Sequence, residues 1–99
     1  MTQPLPIYEI DCAGISEPVE LWRRYLAAVP AQDAVSFGYT LDSFWDAVEW
    51  AGPGDPGLCE LVFLNSDQLA SLQTLGGKPF LPAMQQLVQD TKRIRIHLR

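Results

Sequence analysis

The sequence predicts an α/β fold, a three-stranded parallel β-sheet packed with about four helices. Three observations lead there. Three short apolar stretches carry the alternation or the branched composition of strands. Helical periodicities fill both intervals between them. Those intervals are too long for hairpins, so each strand returns in the same direction. A chain of 99 residues supports one hydrophobic core, and residues 1–99 are expected to form a single domain.

Residues Ile7 to Cys12 alternate, with Tyr8, Ile10 and Cys12 on one face and Ile7, Glu9 and Asp11 on the other, as in a first strand. Ser16 offers a helix cap and Pro18 suits a first turn. Leu21, Trp22, Tyr25, Leu26 and Val29 then recur at helical spacing until Pro30. After a loop from Ala31 to Tyr39, Thr40 caps a second helix whose Leu41, Phe44, Trp45 and Val48 follow the i, i+3, i+4, i+7 rule. The run Leu58 to Leu64 reads as a second strand, covered on both faces. Ser66 is expected to cap a short helix through Leu72. Gly76, Gly77 and Pro79 separate it from a longer helix bearing Phe80, Leu81, Met84, Leu87 and Val88, with Pro82 confined to the first turn. Ile94 to Leu98 alternate as the third strand.

Hydrophobic residues make up 47% of the chain and charged ones 19%, the balance of a folded protein. No apolar run approaches the ~20 residues of a membrane span, and no basic-then-apolar leader opens the chain. The net charge is −5, and between Tyr25 and Gly77 there is no Lys or Arg. That field repels nucleic acid and anionic lipid and attracts cationic partners. Cys12 and Cys59 sit in apolar strand runs, as core thiols of a cytoplasmic protein do.

Little points to catalysis. Gly52-Pro53-Gly54-Asp55-Pro56-Gly57 spells G-x-G-x-x-G, but a helix precedes it and a strand follows, the reverse of a dinucleotide site, and two prolines remove amide donors. The one histidine, His97, lies beside Arg95 with no nucleophile in view. No Cys or His pair has metal-ligand spacing, and short loops leave no cleft for paired carboxylates to work on a sugar. No enzyme activity and no cofactor are expected.

What stands out is the second helix. At about 100° per residue, Asp42, Asp46 and Glu49 share one face while Leu41, Phe44 and Val48 share the opposing one. Trp45 falls on the boundary, where a bulky aromatic can anchor a partner. Asp46 and Glu49 have no Lys or Arg at i+4 to relieve their repulsion, so the ridge is expected to meet a cationic protein.

The run Phe37-Gly38-Tyr39-Thr40-Leu41-Asp42-Ser43-Phe44-Trp45-Asp46-Ala47 resembles the signature of the barstar family. There an aromatic-glycine loop leads into a helix reading leucine, aspartate, two small or apolar residues, tryptophan, aspartate. The likeness continues through Leu58 to Leu64, Phe80 to Val88 and Ile94-Arg95-Ile96. Barstar-like proteins are intracellular immunity proteins that inhibit extracellular-type microbial ribonucleases on a three-stranded parallel sheet packed with helices. The resemblance implies that the acidic helix and the loop before it occlude the enzyme's basic site, with carboxylates in the place of substrate phosphate. It implies a partner-binding set of Phe37, Gly38, Asp42, Trp45 and Asp46, to which the ridge adds Glu49. The partner would be a basic ribonuclease, the free inhibitor a cytoplasmic monomer. The chain departs from the family at three positions: Ser36 replaces an aromatic hydroxyl, Thr40 an asparagine, and Gln86 an acidic residue. The alternative implied is an interaction module for another basic protein.

Overall fold

The computed structural model describes residues 4–99. Strands β1 (Ile7–Asp11), β2 (Glu60–Leu64) and β3 (Arg95–Leu98) form one parallel sheet in the order β1-β2-β3. Helices α1 (Pro18–Ala28) and α2 (Leu41–Trp50) connect β1 to β2, and α3 (Phe80–Asp90) connects β2 to β3. Two short 3-10 helices, Ala34–Ser36 and Ser66–Ser71, complete the α/β architecture. Among the described residues no helix is long and apolar enough to cross a membrane.

The strands contribute to one core from a single face. Ile10 and Cys12, Leu61 and Phe63, and Ile96 join the buried side chains of all three helices, with the two-residue period of a pleat. The expected strand Leu58 to Leu64 is shortened to Glu60–Leu64, with Leu58 exposed ahead of it and Leu64 half-buried at its end; Leu61, Val62 and Phe63 are buried, but for two different reasons. Leu61 and Phe63 enter the core, whereas Val62 lies outside that cluster, flanked in register by Glu9 and His97. Its burial follows from the central position of β2, since its neighbouring strands flank it on both sides. Beside it Glu60 lies 3.8 Å from Arg95 and 3.9 Å from His97.

Two expected caps are corrected. The residue before α1 is Glu17, in extended conformation with no side-chain cap. Pro18, without an N–H, removes one donor that would need a cap, and Glu20 N–H donates to the Glu17 carbonyl. Ser16 instead donates its hydroxyl to Glu20 Oε1 at 2.8 Å. Ser66, in turn, is the first residue of a 3-10 segment; the cap position belongs to Asn65, which adopts a left-handed conformation and makes no side-chain cap. At α2 the expected cap is present, with Thr40 Oγ1 accepting from Ser43 N–H at 3.0 Å.

The loop between α2 and β2 is stitched to the segment that precedes α2. Gln32 and Asp55 form an isolated antiparallel bridge, and the buried Tyr25 hydroxyl donates to the Gly54 carbonyl at 2.8 Å. Gly54 has φ +90, and a Cβ there would come within 2.6 Å of the Phe37 ring. Only glycine lets this loop lie flat on the aromatic core.

Candidate functional site

The outer face of α2 and the loop before it are positioned by residues that never reach the surface. Phe37 is 4% exposed. Its ring centroid lies 5.9 Å from Trp22, 6.0 Å from Tyr25 and 5.5 Å from Tyr39. Phe37, expected in the partner-contact set, has its ring buried in the core. Burial of an aromatic ring among other rings is its more favourable state, and it acts as the peg that holds the loop down. Gly38 is exposed, and a Cβ there would collide with Ser43 Oγ, which receives the Thr40 hydroxyl proton at 3.0 Å. The absence of a side chain at Gly38 therefore protects the helix cap. Tyr39 takes a left-handed φ of 55, a strained conformation for a bulky residue, and its ring is left 41% exposed just ahead of α2.

On the helix, Asp42 and Asp46 are exposed, and neither carboxylate makes a hydrogen bond or ion pair among the described residues. Trp45 is half-buried and packs against the core with part of its surface. Glu49, expected as the third member of the ridge, has another duty. Its Oε1 accepts the Thr91 hydroxyl at 2.8 Å and the backbone N–H groups of Lys92 at 2.9 Å and Arg93 at 3.0 Å. These bonds, with that of the Arg93 amide foremost, hold its carboxyl below the ordinary value of 4.5. Its lack of an i+4 cation is thus compensated by a turn more than forty residues away in sequence.

Arg93 completes that junction. Its Nη1 donates to Asp55 Oδ1 at 2.9 Å, to the Val48 carbonyl at 3.2 Å and to the Ala47 carbonyl at 3.4 Å. A guanidinium on the last carbonyls of α2 also complements the helix dipole.

Sequence reasoning missed Trp50, which is 71% exposed. A signal was available: Asp42, Asp46 and Trp50 are spaced four apart and fall within about 80° of helix circumference. Val35, 98% exposed in the 3-10 turn of the preceding loop, was missed as well; an isolated valine in a loop carries no such signal.

Two hollows border this face. A cleft of about 120 Å³ beside Asp46 is lined by Ser36, Gly38, Ser43 and Pro53. A groove of about 840 Å³ has Tyr39, Asp42 and Trp45 on one wall and α3 on the other. No family model, no curated protein and no solved structure matches the chain. Among the described residues no three His, Cys, Asp or Glu side chains group to hold a metal ion. The face presents exposed carboxylates and exposed aromatics on a capped helix.

Proposed function

We propose that this chain is a barstar-like inhibitor that occludes the basic active site of a microbial ribonuclease with α2 and the loop before it. One observation carries the reading. Asp42 and Asp46 stand exposed and unpaired among the described residues, on a helix that also presents Trp50 and follows directly on Tyr39. A site made to grip phosphate is lined with cationic donors, and a carboxylate held on a rigid helix satisfies the same donors without offering a bond to cleave. Rigidity matters because order present before binding need not be gained during it. The Thr40 cap at one end of α2 and the Arg93 junction at the other supply that order. In this reading the protein is not an enzyme, is monomeric when free, and acts in the cytoplasm.

The second reading is a module that binds a basic protein other than a ribonuclease. It is favoured by the burial of Phe37 together with Ser36 and Gln86, which leave this face poorer in aromatic and acidic contacts than the family pattern implies. The deciding experiment measures RNA cleavage by a panel of basic microbial ribonucleases with equimolar wild type or Asp46→Ala. The proposal expects stoichiometric inhibition of at least one enzyme by wild type, weakened in the variant. Inhibition no greater than that given by an unrelated protein of equal charge would refute it.

A further inference from the structure

The groove beside Asp42 is larger than a cluster of carboxylates needs. It occupies about 840 Å³, within the size range of peptide and ligand sites. Its lining on α3 runs from Phe80 to Asp90, a helix length of roughly 15 Å, which matches four to five residues of extended chain. Aromatic side chains line its inner part: Trp22, Trp45 and Phe80. Carboxylates surround them, Glu17, Asp42 and Asp90 against the single ammonium of Lys78.

We infer that the groove receives an extended segment of the partner protein, an apolar side chain flanked by basic residues. The apolar side chain covers the aromatic lining. The basic residues meet the carboxylates of the rim, whose excess over Lys78 selects against an acidic segment. The inference extends the proposed interface from the outer face of α2 around its N-terminal end, and so rests on the protein-binding reading.

The test uses the full chain labelled with nitrogen-15 and two capped peptides, Ac-Arg-Leu-Phe-Arg-NH2 and Ac-Glu-Leu-Phe-Glu-NH2, without any ribonuclease. The chain has three indole N–H reporters, Trp22, Trp45 and Trp50. The basic peptide is expected to shift the Trp22 and Trp45 signals and to leave Trp50 in place; the acidic peptide is expected to shift none. Asp42→Asn with Asp90→Asn should weaken the basic peptide about fivefold, the effect of two exposed charges. Ala83→Phe, placing a ring in the groove from α3, should abolish uptake. Should Ala83→Phe disturb the fold by circular dichroism, the Asp42/Asp90 pair alone decides. Equal binding of the two peptides, a response at Trp50 alone, or unchanged affinity in the Asp42/Asp90 variant overturns the proposal. So does concentration-dependent dimerisation that shifts Trp45 without peptide, which would assign the groove to a second copy. Ribonuclease inhibition that depends on Asp46 with no peptide uptake removes the groove and spares the proposed function; peptide uptake without inhibition does the reverse.

Discussion

The two ends of α2 carry the same kind of charge and use it in opposite ways. Toward the N-terminus, Asp42 and Asp46 are exposed and without partners among the described residues. One turn beyond Asp46, Glu49 accepts three hydrogen bonds from residues 91–93, while Arg93 binds the carbonyls of Ala47 and Val48. The C-terminal end of the helix is fastened, while the other end leaves its carboxylates exposed. A row of acids in a sequence therefore mixes carboxylates bound within the fold with carboxylates left exposed. Only what faces each one separates them.

The largest expected effect falls on the free end. Asp46→Ala should weaken binding to the cognate ribonuclease by about 2–5 kcal/mol, chiefly through faster dissociation, because the cations it faced are left unpaired; that range derives in part from barstar-type interfaces. Folding stability should change by less than about 0.5 kcal/mol, since the variant only relieves repulsion with Asp42 one turn away. Binding kinetics and urea unfolding on the same variant check both halves. A matching loss of stability would show that Asp46 belongs with Glu49.

Next is the fastened end. Arg93→Ala should destabilise the fold by about 2–3 kcal/mol in urea unfolding, as a partly buried ion pair with Asp55 and two helix-terminal carbonyls lose their donor. A ΔΔG below about 0.5 kcal/mol would mean that α2 needs no such fastening.

Glu49→Gln should cost about 1–2 kcal/mol near neutral pH, because charge-assisted bonds become neutral ones. The folded carboxyl lies below its ordinary value of 4.5, so its contribution is fully present above that value. It is lost as pH falls from about 4.5 through the depressed folded value. The stability difference between wild type and variant should therefore shrink over that acid window. A difference independent of pH would assign the loss to shape and not to charge.

Trp50→Ala should weaken partner binding by at least about 1 kcal/mol, as for an exposed aromatic beside an interfacial charge, with stability within about 0.5 kcal/mol of wild type. If affinity does not move, the interface stops short of the last turn of α2. The smallest effect concerns the thiols. Burial pushes Cys12 and Cys59 up to about 11, so neither should react with a thiol reagent at pH 8 until the chain unfolds, and reductant should leave the melting temperature unchanged.

The sequence by itself determined the sheet, its parallel sense and the order of elements, because strand alternation, helical spacing and long intervals are properties of neighbours along the chain. It also determined the Thr40 cap, whose acceptor and donor lie three residues apart. Tertiary structure decided the rest. Phe37 looked like a contact residue beside a glycine, yet rings from α1 claim it, and no local pattern reports a partner fifteen positions upstream. Glu49 looked free because the i+4 rule sees only its own helix, while its partners arrive on the approach to β3. Ser16 and Ser66 match the capping preference but fall one residue before and one residue after the cap positions, which are Glu17 and Asn65. Side chains whose partners are local can be assigned by spacing. Those whose partners come from across the fold are assigned only when folding brings the distant segment into contact.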